Sequence, residues 1–299
     1  MTDAGSGRRL WAISDLHLAS EVNRAALREL PDHGDDWLIL AGDIAEREEL
    51  FVEALELLSG RFGTIVWVPG NHDLWTDRRP GAVSRRGEAR YLHLVELARS
   101  AGAVTPEDPY SRWPEDLDGA PVFIAPLFLL YDYSFRPEGI ALENLKDWVR
   151  QKHAVPADEL LLDPAPYDSR ADWCAARCEE TETRLAALPA DARTVLVNHW
   201  PLREDLIRIP RVPRFSPWCG TRRTHDWHRR FRSVEVITGH LHTRRTDVID
   251  GTRFHEVSLG YPRQWEQSRG MADYLKDVTP GRELVVSRES RYDVRGAQS

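Results

Sequence analysis

The chain has 299 residues, a formal net charge of −8 and 41% hydrophobic side chains. That is enough apolar material for one large domain or two small ones; no run reaches the roughly 18 apolar residues of a membrane span, and the acidic balance disfavours a nucleic-acid partner. Three cysteines, Cys174, Cys178 and Cys219, are too few and too oddly spaced for a disulfide framework. The polar start, Met1 to Gly7, has no apolar core of a signal peptide. Cytoplasmic residence is the expectation, and the oligomeric state is left open.

Taken in chain order, Arg9 to Ile13 reads as a buried strand, Glu21 to Leu30 as a helix and Trp37 to Ala41 as a second strand. Glu48 to Ser59 places Leu50, Phe51, Ala54, Leu55 and Leu58 on one helical face and stops at Gly60. Thr64 to Val68 is a third strand and Tyr91 to Ala101 a third helix, closed near Gly102. This β-α-β-α-β opening implies parallel strands joined by right-handed crossovers. Val122 to Ala125 is strand-like and leads into the aromatic loop Tyr131 to Phe135. Residues 138–190 read as a helical insertion broken by Pro156, Pro164 and Pro166. Cys174 and Cys178 sit one turn apart there, as reduced thiols, because no second pair completes a zinc set. Strands return at Thr194 to Val197, Val234 to Ile237, Thr246 to Ile249 and Phe254 to Leu259, with Asp250-Gly251 as a hairpin turn. The pattern weakens after about residue 262. The expected fold is α/β, a four-layer α-β-β-α sandwich of two packed mixed sheets, with one domain over 8–262 and a peripheral tail over 263–299.

Five segments carry the chemistry: Asp15-Leu16-His17, Gly42-Asp43, Gly70-Asn71-His72-Asp73, Asn198-His199 and Gly239-His240-Leu241-His242. Each follows a predicted strand, where α/β sheets gather ligands. Asp15 and His17 alternate by two, as do His240 and His242, so on extended chain each pair points one way. Glycine before a ligand permits close backbone approach. Singly, any of these residues reads as an ordinary turn or cap residue; the series in one compatible order points to a metal site. Carboxylate, imidazole and amide donors suit two divalent ions such as Mn, Fe or Zn. Two dications against Asp15, Asp43 and a bridging hydroxide leave a net positive site, suited to a phosphate ester.

These blocks resemble the calcineurin-like metallophosphoesterases: D-x-H, G-D, G-N-H-[DE], a lone H after a strand, and G-H-x-H. The resemblance implies that Asp15, His17 and His242 bind one metal, that Asn71, His199 and His240 bind the other, and that Asp43 bridges them. It implies that hydroxide held by the metals attacks phosphorus, while His72 faces the scissile ester as a proton donor or charge stabiliser. The second block, Gly42-Asp43-Ile44-Ala45-Glu46-Arg47, lacks the final glycine of the protein phosphatases, and Pro69 stands where they place arginine. Both departures argue against a serine/threonine phosphatase. Glu46 is positioned to orient His72, with a solvated acid in a first helical turn as its alternative, and whether Glu46 or Asp73 orients the ring is left open.

Longer strings are similar to the actinobacterial phosphopantetheinyl hydrolases within that superfamily: Leu10 to His17, Trp67 to His72, Phe128 to Phe135, Trp218 to Thr221 and Ser258 to Pro262. That resemblance implies a phosphodiesterase that removes 4′-phosphopantetheine from holo acyl carrier protein. Nucleotides, cyclic nucleotides and nucleic acid are the alternative substrates, and a non-catalytic metal-binding scaffold is the alternative outside enzymology. Between Trp200 and Arg232 there are nine arginines against Glu204, Asp205 and Asp226. Such a loop would steer an acidic carrier; the plainer reading is a solvated basic loop. Tyr131, Tyr133, Arg214, Trp218 and Arg222 are the candidate substrate contacts.

Overall fold

In the computed structural model, residues 7–76, 85–152 and 155–282 are described. The expectations for residues 1–6 and 283–299 lie outside the described residues. Two mixed sheets build the fold. The first has the order β10-β1-β2-β3, from β1 (Leu10–Ile13), β2 (Trp37–Leu40), β3 (Thr64–Trp67) and β10 (Lys276–Asp277). The second runs β4-β5-β6-β7-β9-β8, from β4 (Ser111–Arg112), β5 (Val122–Pro126), β6 (Arg193–Val197), β7 (Ser233–Thr238), β8 (Arg245–Ile249) and β9 (Thr252–Glu256). β1, β2 and β3 are mutually parallel, as are β5, β6, β7 and β9.

Side-chain alternation sets the layers. Leu10, Ala12, Ile39, Ala41, Val66 and Val68 of the first sheet meet Val122, Ile124, Val195, Val197 and Ile237 of the second in one buried cluster between the sheets. The intervening residues, Ile13, Leu38, Leu40, Ile65 and Trp67, face outward into a cluster with Phe51, Leu55, Leu58, Leu94 and Ala98 of the helices α2 (Glu48–Ser59) and α4 (Gly87–Ser100). A strand buried on both faces must be apolar throughout, which explains continuous runs such as Trp37 to Leu40.

Several boundaries differ from expectation. The helix expected from Tyr91 begins at Gly87. Strand β9 ends at Glu256 and not at Leu259. Asp250 and Gly251 form the anticipated two-residue turn, with φ of 52° and 80° and Ile249 paired to Thr252, the left-handed pair that suits strand twist. The insertion resolves into α5 (Leu145–Arg150), α6 (Asp158–Leu161) and α7 (Arg170–Ala186), and its Cys174 and Cys178 are free and buried.

The larger correction concerns the segment after 262. It is no peripheral tail over its described part: Trp265, Met271, Leu275 and Val278 are buried, and β10 pairs antiparallel with β1 through Trp11–Asp277 and Ala12–Lys276. Two-residue strands and single turns of 3-10 helix leave no periodicity to read. Met271→Ala should therefore destabilise the fold by about 2–4 kcal/mol, measured as a lower denaturant midpoint; an unchanged midpoint would show that this segment contributes little to the core.

Candidate metal centre

All five ligand segments sit beyond the carboxyl ends of parallel strands. Asp15 and His17 follow β1, Asp43 follows β2, Asn71 and His72 follow β3, His199 follows β6, and His240 and His242 follow β7. The two sheets are tied together at this end: Ser14 N–H donates to the Val257 carbonyl at 3.2 Å, and Leu259 N–H to the Ser14 carbonyl at 2.9 Å.

The backbone reaches the site by turning, not by staying extended. Asp15, His17, Asp43, His240 and His242 have φ of 54°, 44°, 55°, 72° and 52°, so the expectation of alternating ligands on extended chain is incorrect. Left-handed backbone at non-glycine residues is strained and persists where surrounding contacts impose it. Gly42, at φ 87°, is required twice over: a Cβ there would stand 2.6 Å from His199 Nδ1 and 2.7 Å from the Gly70 nitrogen. A Cβ on Gly70 would collide with the Asp43 carboxylate.

The donor atoms form two neighbouring groups. In the first, His242 Nε2 lies 2.9 Å from Asp15 Oδ1 and 3.2 Å from His17 Nε2. In the second, Asn71 Oδ1 lies 3.2 Å from His199 Nε2 and 3.1 Å from His240 Nδ1. Asp43 stands between them, its Oδ2 3.5 Å from His199 Nε2 and 4.0 Å from His72 Nε2. Asp15, His17 and His242 could hold one ion, and Asp15, Asp43 and His199 or His17, Asp43 and His72 also come within ligating distance of one another.

Partners on the far side of four candidate ligands fix which atom faces inward. His199 Nδ1 is 2.8 Å from the Ala41 carbonyl, which only accepts, so Nδ1 carries a proton and Nε2 is the atom that faces inward. His242 Nδ1 donates to Gln264 Oε1 at 2.8 Å with the same result. Asn71 Nδ2 donates to Asp158 Oδ1 at 2.9 Å, which leaves the amide oxygen inward. Asp15 Oδ2 accepts from Ser14 Oγ, Ser258 Oγ and His240 N at 2.6, 2.7 and 3.0 Å, freeing Oδ1. These arrangements fit divalent cations: inward lone pairs of carboxylate, imidazole and amide converge with no hydrogen to share between several of them.

Electrostatics agrees. Burial opposes ionisation of Asp15, yet His242, His199 and His17 hold its carboxyl well below the ordinary range. Burial likewise resists a proton on His199, but Asp43 and Asp15 raise it to about 10. His17 and His240 are pushed the other way, to about 4 and about 3, by burial and by neighbouring imidazoles. The cluster can carry protons on only some of its histidines, and cations compete for the same lone pairs.

His72 is set apart. Its Nδ1 is 2.7 Å from Glu46 Oε1, the Trp75 ring lies against it, tilted by 32° at 3.7 Å between centroids, and its Nε2 faces Asp43. Burial opposes its protonation, but Asp43 and Glu46 raise its pKa. Asp73 does different work. Its carboxylate accepts from the N–H groups of Asp43, Ile44, Ala45 and Gly70, all within 2.8–3.0 Å, and so holds the Asp43 turn.

The candidate substrate contacts do not line the cleft. A cleft of about 340 Å³ opens over Asp43, Asn71, His72, His240 and His242, walled by Ile209, Val212, Phe215, Leu241, Tyr261 and Gln264 among others. Tyr131, Tyr133 and Trp218 are core residues, the last two bonded to Glu159 Oε1 at 2.9 Å each. Arg214 lies over the Trp148 ring at 4.7 Å, and Arg222 grips Glu204 at 2.7 and 3.1 Å. Much of the arginine excess is matched by nearby carboxylates: Arg203 with Asp205, Arg223 with Asp132, Arg229 with Asp250 and Arg230 with Glu182. Charge counting along the sequence misses partners such as Glu182 and Asp132. Gln264, Asp158 and Ser258 also escaped it, because nothing local in their segments marks a partner to a ligand.

The calcineurin-like phosphoesterase profile matches residues 8–244. The chain belongs to that family. It is 45% identical over 289 residues to the acyl-carrier-protein phosphodiesterase PptH of Mycobacterium tuberculosis, covering 94% of this chain and 88% of that one. It is also similar to the crystal structure of phosphopantetheinyl hydrolase (PptH) from Mycobacterium tuberculosis, with a TM-score of 0.85 at 44% identity, over 92% of this chain and 97% of the other. Asp43→Asn should leave the protein with well under two bound divalent ions after loading and desalting, by elemental analysis, because Asp43 lies between both donor groups. Wild-type metal content in this variant would contradict that position.

Proposed function

We propose that this protein is a metal-dependent phosphodiesterase that hydrolyses the serine–phosphopantetheine linkage of holo acyl carrier protein, yielding apo carrier and 4′-phosphopantetheine. The observation that carries this reading is the near full-length similarity to an acyl-carrier-protein phosphodiesterase, in a chain that retains every ligand block. In this reading Asp15, His17 and His242 hold one divalent ion, Asn71, His199 and His240 hold the other, and Asp43 serves both. The mixed nitrogen and oxygen donors favour Mn or Fe, with Zn also accommodated. Bound there, the two ions supply Lewis acidity that polarises the phosphoryl group and makes water nucleophilic near neutral pH.

The remaining roles belong to side chains. A water oxygen forms the new bond to phosphorus while the bond from phosphorus to the serine oxygen breaks. His72 Nε2 gives its proton to that departing oxygen, and Glu46 keeps the ring oriented and charged through Nδ1. Among the described residues no helix is long and apolar enough to cross a membrane.

The test is to incubate the Mn-loaded protein with purified holo carrier and follow the carrier's intact mass. Loss of the phosphopantetheine mass is expected; an unchanged carrier beside rapid turnover of nucleotide diesters would overturn the assignment. His72→Asn should keep its metal content and lose about 10²–10⁴-fold in kcat. Near wild-type kcat in that variant would remove His72 from the reaction.

A further inference from the structure

One side of the cleft beside the candidate metal ligands is apolar, although Arg211 and Thr243 also belong to its lining. Phe135, Cys219 and Leu241 form a separate small buried cluster, with Ile207 and Ile209 packed against it. Leu241 stands between the ligands His240 and His242 in sequence, so the cluster begins at the metal centre itself. Ile209, Val212 and Phe215 carry the wall outward along the loop between β6 and β7. Val212 is 40% exposed there. Burial drives the Cys219 thiol upward in pKa, so it is a neutral, apolar part of this wall. Its apolar side chains stabilise a substituent that carries hydrocarbon close to phosphorus.

We propose that Ile209, Val212 and Leu241 form a specificity subsite for a branched, uncharged alkyl arm attached to the phosphoryl group. The volume, about 340 Å³, suits a small-molecule arm and excludes a folded protein. This deepens, and rests on, the carrier-protein reading: in 4′-phosphopantetheine a quaternary carbon bearing two methyl groups lies directly beyond the ester CH₂. The pantetheine arm then occupies the apolar wall, and the serine side of the ester points to the open mouth. Nucleosides, with a polar sugar at the same distance from phosphorus, fit this wall poorly.

The test uses calorimetric titration of the Mn-loaded protein with methyl phosphate and with neopentyl phosphate, which reproduces the branched carbon. Wild type should bind neopentyl phosphate at least about tenfold more tightly, as several buried methyl and methylene groups imply. Ile209→Ser/Val212→Ser should leave methyl phosphate affinity unchanged and reduce the preference to about threefold or less. Val212→Ser alone, at an exposed position, should lower it by about two- to threefold, and it serves if the double variant does not fold. No preference in wild type, or an undiminished preference in a variant that binds methyl phosphate normally, would overturn the proposal. The two readings fail separately. An uncleaved carrier with the preference intact refutes the carrier substrate, whereas a cleaved carrier without the preference refutes the subsite.

Discussion

Two buried carboxylates, Asp15 and Asp43, facing four inward imidazoles and one amide oxygen, are the constraint around which this molecule is arranged. Isolated in a protein interior, such anions would be costly, and the imidazoles cannot all be protonated to neutralise them without repelling one another. The donor set is therefore balanced by divalent cations, and the rest of the structure serves to hold neighbouring donors 2.9–3.9 Å apart. Two sheets are needed because no single sheet supplies enough strand ends. The first contributes Asp15, His17, Asp43 and Asn71, and the second contributes His199, His240 and His242.

Holding the donors requires unfavourable backbone. Five of the candidate ligands adopt left-handed conformations, and the contacts that impose them are themselves buried: the Asp73 carboxylate under the Asp43 turn, the Ser14 and Ser258 hydroxyls on Asp15, and the hydrogen bonds of Ser14 with Val257 and Leu259. The segment around Gln264 and Lys276 to Asp277 takes part in the same task. It closes the edge of the first sheet at β1 and supplies the acceptor that orients His242. A loop that looks peripheral in the sequence is thus joined to the site at one end and to the core at the other.

The strands, the sandwich and the convergence of the seven candidate ligands were legible because they rest on local rules: apolar runs for doubly buried strands, glycine where backbone must approach, and ligand types at strand ends. Residues that act across long sequence separations were not. Gln264 and Asp158 are identified by what they touch, and neither carries a local signature. The arginine-rich stretch does border the cleft, through Arg211 and its apolar neighbours, but its sequence count overstates its charge, since Arg223, Arg229 and Arg230 meet Asp132, Asp250 and Glu182. Tyr131, Tyr133 and Trp218, candidate substrate contacts by sequence, pack in the core instead, where Glu159 accepts from Tyr133 and Trp218.

The central claim is that the two sheets converge on a pair of cations with Asp43 shared between them. Anomalous diffraction from crystals grown with Mn(II) tests it most directly. The account predicts two peaks about 3.5–4 Å apart, one beside Asp15, His17 and His242 and the other beside Asn71, His199 and His240, with Asp43 touching both. A single peak, or ions bound away from these seven side chains, would contradict it.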